Sequence, residues 1–168
     1  MKRLLLLFLR ESVCVCVCAQ NLVLNSSFED TITCPNSTSQ IYYSQNWFEP
    51  YFCSSDYFNI CNSNIVSLPT NYVGFQYAEQ GNAYAGIVVY NTLDTNFREF
   101  IETKLISPLI QGEKYCIEFY VSTTVSESYA INYAINTIGG LFTTDNAAYL
   151  ATLGGNVGIG TTSPGGQT

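Results

Sequence analysis

The chain has 168 residues, enough for one domain with a sizeable core, and is 47% apolar but only 11% charged. Six basic residues face thirteen acidic ones, a formal net charge of −7, which argues against phosphate backbones and anionic membrane surfaces as partners. Histidine is absent, so Ser-His-Asp and Cys-His catalysis in their usual forms are excluded.

Residues 1–19 read as an export signal. Lys2 and Arg3 give a positive start, residues 4–9 an apolar stretch, and Val17-Cys18-Ala19 a small-residue cleavage site before Gln20. Arg10 and Glu11 interrupt the apolar stretch, and an uncleaved hydrophobic N-terminus is the alternative. Valine, not a small residue, precedes each of Cys14, Cys16 and Cys18, which argues against a lipid anchor. The mature chain would keep Arg98, Lys104 and Lys114 against twelve acids, a net charge of −9. No apolar run beyond the signal reaches the length of a membrane span. Secretion or display on an outer cell surface, of bacterial type, is the expected localisation.

Residues 20–142 read as one module of short strands. Thirteen Tyr and ten Phe, among many Thr, Ser, Asn and Val, favour strands over helices. Residues 21–24 begin the module, and a polar loop holding Cys34 and Pro35 follows. Trp47-Phe48 and Tyr57-Phe58 stand in a loop-rich stretch punctuated by Pro50 and Pro69. In residues 82–90, Tyr84, Gly86, Val88 and Tyr90 share one face, and Ala83, Ala85, Ile87 and Val89 the other. Two apolar faces predict a central strand.

Residues 98–105 alternate as well. Residues 114–122 give the clearest strand pattern, with Tyr115, Ile117, Phe119 and Val121 on one face and Cys116, Glu118, Tyr120 and Ser122 on the other. Residues 129–138 are a further strand candidate, and a short helical turn near residues 145–150 is allowed. Strands separated by turn signals, with no helical period between them, predict an all-β sandwich. The composition then shifts to Gly, Thr, Ser and Pro, so residues 143–168 read as a flexible tail.

Four cysteines remain after the signal: Cys34, Cys53, Cys61 and Cys116. They permit three connectivities. Without histidine or a CxxC pair, disulfides in an oxidising compartment are the expected use.

An ordered series of short motifs runs through the module. It comprises Asn21-Leu22-Val23-Leu24-Asn25-Ser26-Ser27-Phe28-Glu29-Asp30, Cys34-Pro35, Asn46-Trp47-Phe48-Glu49-Pro50, residues 56–61 (DYFNIC), Leu68-Pro69-Thr70-Asn71, residues 81–87 (GNAYAGI), residues 98–105 (REFIETKL) and residues 112–122 (GEKYCIEFYVS). The opening is similar to the first strand of galactose-binding-like jelly-roll carbohydrate-binding modules. The whole series, over roughly residues 20–142, resembles the N-terminal modules of surface proteins exported by type IX secretion. Residues 156–165 (NVGIGTTSPG) are similar to a repeat-like phrase of bacterial adhesins and tail-fibre proteins. Because that phrase arrives where the family carries further strands, the resemblance implies a jelly-roll-like sandwich missing its last strands.

The resemblance implies a non-catalytic recognition module for glycan or a surface protein. It places a structural calcium at Glu29, with a surface carboxylate closing the first strand as the plainer reading. It also implies pairing of Cys34 with Cys61, each beside a family motif, with Cys53 the less favoured partner for either; the strand position of Cys116 would make it a buried thiol.

Trp47, Tyr77, Tyr84, Tyr90 and Tyr120 are the candidates for stacking on a sugar ring, with Asn71, Gln76 and Arg98 as hydrogen-bonding partners. Strand alternation could turn Tyr90 and Tyr120 outward, making them the preferred stackers. Core packing is the competing reading for each, and Trp47 in particular reads as a plug beneath a loop. Arg98 could instead pair with Glu102 or Glu118 across strands. A glycosidase would need two facing carboxylates, for which Glu99 with Glu102 or Glu118 with Glu127 are the available pairs. The neutral-glycan module is the leading expectation. A structural or adhesin spacer is the first alternative and a glycosidase fragment the second.

Overall fold

A computed structural model of the chain describes residues 20–49, 53–89, 97–123 and 138–143. The signal segment, Tyr90, Glu127, the tail from residue 144 and all but Ile138 of the candidate strand at 129–138 lie outside the described residues. The described fold is all-β. Its strands, in chain order, are β1 (Trp47–Phe48), β2 (Asp56–Asn59), β3 (Thr70–Asn71), β4 (Gly74–Phe75), β5 (Ala83–Gly86) and β6 (Glu102–Thr103), with one 3-10 turn at Ile41–Tyr43. They pair antiparallel as β1–β6, β2–β5 and β3–β4, three two-stranded sheets among the described residues.

The β2–β5 ladder is the centre of the fold. Asp56 opposes Gly86, Tyr57 opposes Ala85, Phe58 opposes Tyr84 and Asn59 opposes Ala83. Successive side chains leave a strand on opposite faces, so this register sorts the core in two. On one side Tyr57 and Ala83 pack with Ile41, flanked by Phe28, Trp47, Ala85 and Ile101. On the other, Phe58 packs with Val66 and Leu68, flanked by Val73, Ala78 and Tyr84. Burying Tyr57 or Phe58 in this way contributes roughly 1.5–3 kcal/mol of apolar stabilisation each. Of the central strand expected over residues 82–90, β5 takes Ala83–Gly86 and pairs with β2 alone among the described residues; Ala83 is buried, the next three residues are half-buried and Val88 is 40% exposed. Gly86 is required there, since a Cβ would meet Phe58 Cε2 at 2.5 Å.

The opening motif is a structural knot. The Asn25 amide nitrogen reaches the Asp30 carbonyl, Ser44 Oγ and the Gln45 carbonyl at 2.8–3.0 Å, while its Oδ1 accepts the Asp30 N–H. Phe28 stacks on Trp47 with ring centroids 4.6 Å apart, and its carbonyl accepts the Tyr57 hydroxyl at 2.7 Å. That hydroxyl also accepts from Asn59 Nδ2 (2.8 Å) and lies 2.6 Å from Thr31 Oγ1, so the one polar atom of a fully buried tyrosine is satisfied several times over. Cys34 and Cys61 are joined, with Cα atoms 5.9 Å apart. Closing a loop of 27 residues stabilises the fold by roughly 3–4 kcal/mol in the chain-entropy account.

Two expectations are corrected. Residues 114–122 form no ladder among the described residues, and the four side chains of their apolar row are between 42% and 62% exposed. Alternation fixes which side chains share a face, but a strand exists only where a neighbouring backbone takes up its N–H and C=O groups. Cys116 is accordingly exposed, not buried on a central strand. Residues 98–105 keep only Glu102–Thr103 as strand, opposite Phe48 and Trp47, with Leu105 bridged to Val23 beyond it.

Candidate binding cleft

The hairpin β3–β4 is set by Asn71, whose Oδ1 accepts the Val73 N–H at 3.1 Å and whose Nδ2 donates to the Tyr84 hydroxyl at 2.8 Å. After β4 the chain runs back past Pro69, where the Gln76 N–H donates to the Pro69 carbonyl at 2.8 Å. Beyond β2, the Ile60 N–H donates to the Asn82 carbonyl at 3.1 Å. These bonds enclose a cleft of about 230 Å³ between the loops, lined by Ile60, Leu68, Pro69, Tyr77, Ala78, Gly81 and Asn82. Its floor is apolar, with Leu68 belonging to the second core cluster.

Tyr77 is the aromatic wall. It is 66% exposed, and Phe75 braces it edge-on, with ring centroids 5.2 Å apart at 90°. Among the described residues neither its hydroxyl nor the Asn82 side-chain amide has a hydrogen-bond partner, and both residues line the cleft. The opposite wall turns at Gly81, whose φ of +70° suits glycine. Glu29 closes this turn from behind: its carboxylate packs on Gly81 and Oε1 accepts the Asn82 N–H at 2.8 Å.

Tyr120 is 70% exposed and comes to the same side of the molecule. Ser122 Oγ donates to Gln76 Oε1 at 2.8 Å, laying residues 120–122 beside residues 76–79. The Tyr120 hydroxyl donates to Glu118 at 3.3 Å, and its pKa is raised by the Glu118 charge and hydrogen bond first, then by the Glu79 charge. Of the sequence candidates, Tyr77 and Tyr120 are thus brought to one region, with Gln76 as the link.

The others are placed differently. Trp47 stacks its ring on Phe28 and donates its indole N–H to the Asn25 carbonyl (2.8 Å), the contacts of a plug beneath a loop. Tyr84 packs on Phe58 at 5.0 Å and accepts from Asn71, so both of these residues are structural. Arg98 donates to the Phe97 carbonyl at 2.6 Å and does not line the cleft. Glu29 is a clasp for the turn at residues 81–82. Among the described residues no group of three or more acid or thiol side chains stands ready to hold a metal.

Of the carboxylates proposed in pairs, Glu127 lies outside the described residues, and none of Glu99, Glu102 and Glu118 lines the cleft. Glu99 is buried and accepts from Ser54 Oγ with one oxygen and from the Val88 N–H (2.7 Å) with the other. What sequence patterning missed is the acidic gathering around it. Glu49 accepts the Ser55 N–H at 3.0 Å, and its carboxyl is pushed up in pKa by burial, with the Glu99 and Asp56 charges adding to the rise. Asp56 accepts the Ser39 N–H (2.7 Å) and the Tyr72 hydroxyl (2.5 Å). Burial raises its pKa against both of those bonds. The cleft lining was missed as well, because Ile60, Ala78 and Asn82 sit in the connections between strands, where no pattern marks a shared surface.

No protein-family model matches the chain, and neither a curated protein nor a solved structure is significantly similar to it. Among the described residues, no helix is long and apolar enough to cross a membrane.

Proposed function

We propose that the chain is a non-catalytic recognition module of jelly-roll type on an exported or surface-displayed protein, and that it binds neutral glycan. The observation that carries this reading is the exposed Tyr77 at an apolar cleft that Asn82 also lines. A pyranose has one apolar face and a rim of hydroxyls, and a site of that composition complements both. The absence of histidine and the engagement of both Glu99 oxygens by neighbours support a binding role over hydrolysis. The acidic chain supports uncharged ligands over polyanions.

The test is a glycan-array screen of residues 20–168, followed by calorimetry on the glycans retained. Neutral glycans bound with little change between low and high salt are the expected result. A folded protein that retains none at millimolar concentration refutes it.

A second reading has its own observation. Tyr115, Ile117, Phe119 and Val121 form an exposed apolar row. Such a row favours a structural or adhesin segment that contacts protein. That reading takes first place if the array is blank.

A further inference from the structure

We propose that the cleft beside Tyr77 is an end-on subsite for one uncharged sugar residue, with Tyr77 stacking on its ring, Asn82 reading a hydroxyl, and Glu29 helping to reject anionic sugars. The proposal rests on the glycan-recognition reading above and specifies where and what the module reads.

Size sets the occupant. At about 230 Å³ the cleft is smaller than the ~300–1,000 Å³ of sites that enclose drug-sized ligands. It takes a single ring, so a chain enters by its end. Composition sets the mode of contact. Leu68, Pro69 and Ala78 offer nothing to hydrogen-bond through their side chains, while the Tyr77 ring offers a face. The Asn82 amide, without a hydrogen bond among the described residues, supplies a donor and an acceptor, matching a hydroxyl that can do both.

Charge sets the selectivity. No basic residue lines the cleft. The Glu29 carboxylate lies directly behind the Gly81–Asn82 wall, held there by the Asn82 N–H, and Glu79 follows Ala78 in the chain. A carboxylate or sulfate on the sugar would meet negative charge across a wall one residue thick, with no cation to offset it.

The walls are rigid enough to select. Backbone bonds tie Gln76 to Pro69 and Ile60 to Asn82 on either side of the opening. Tyr77 is mostly exposed, so shortening it changes the site without emptying a core.

The experiment is saturation-transfer NMR and calorimetry on the intact chain, using methyl glycosides of neutral hexoses and the corresponding hexuronic acids. Tyr77→Ala and Asn82→Ala serve as variants, and melting temperature reports folding. We expect at least one neutral glycoside to bind and Tyr77→Ala to weaken it about tenfold with melting unchanged, the scale of one lost stacking contact. Asn82→Ala should weaken it as well. The uronic acid should bind about tenfold more weakly than its neutral partner at low salt, with the gap narrowing as salt is added.

Neutral binding that survives Tyr77→Ala, or uronic acids bound as tightly as neutral sugars, overturns the subsite while leaving glycan recognition standing. No binding by any glycoside or arrayed glycan overturns both.

Discussion

The Glu29 carboxylate lies against Gly81, so close that a Cβ at position 81 would fall on it, and its Oε1 takes the N–H of the next residue at 2.8 Å. The chain's opening loop is thereby fastened to the turn that starts β5. Glu29→Ala should cost about 1 kcal/mol, a charge-assisted bond discounted for partial exposure. Glu29→Gln should recover most of it, because an amide oxygen still accepts the N–H. Gly81→Ala combines a positive φ with expulsion of the carboxylate and should cost more, about 2 kcal/mol. The double variant should cost less than the sum. Denaturant melts in calcium and in chelator complete the measurement. If Glu29→Gln destabilises only in calcium, Glu29 serves as a metal ligand instead of a clasp.

Trp47 and Tyr77 should behave oppositely. Trp47→Ala removes a ring stacked on Phe28 and packed against the cluster of Ile41, Tyr57 and Ala83, and should cost about 3 kcal/mol or more. Tyr77→Ala should leave thermal stability within about 0.5 kcal/mol. Equal losses would place Tyr77 in the core and remove it from the cleft wall.

The cysteines make an ordered prediction. Non-reducing peptide mapping should recover Cys34 linked to Cys61, and replacing both by Ser should lower stability by about 3 kcal/mol. Of the two free thiols among the described residues, Cys116 is exposed, while burial raises the pKa of Cys53 and withholds its thiolate. Alkylation at neutral pH should therefore label Cys116 first. Faster labelling of Cys53 would contradict its described environment.

Mild acid should stabilise this protein. The Asp56 and Glu49 pKa values are raised by burial, so between the ordinary carboxylate value and the raised one the folded state binds more protons than the unfolded state. Their contribution is fully favourable below the unfolded pKa and is lost as pH rises through the folded one. Melting temperature should climb as pH is lowered from neutral toward the ordinary carboxylate range. Asp56→Asn, which keeps an oxygen for the Ser39 N–H, should flatten the climb. A melting temperature that falls steadily over that range refutes the account.

Composition and alternation determined the strand class, the presence of a strand within residues 82–90 and the exclusion of histidine chemistry. These follow from properties a residue carries wherever it sits: its volume, its polarity and the face its position gives it. The pairing of Cys34 with Cys61 was legible only through the motifs beside them, since four thiols alone leave three connectivities. Tertiary structure decided the rest. It alone showed that the strong alternation of residues 114–122 finds no ladder among the described residues, because a β-strand's hydrogen bonds belong to its neighbour and not to itself. It turned Trp47 inward, where Phe28 covers it, and left Tyr77 at a cleft lined from three stretches of chain, Ile60, Leu68–Pro69 and residues 77–82. It also gathered Glu49, Asp56 and Glu99 from distant positions into one acidic neighbourhood. Such encounters depend on where loops of irregular backbone bring side chains together, and no period in the sequence encodes that.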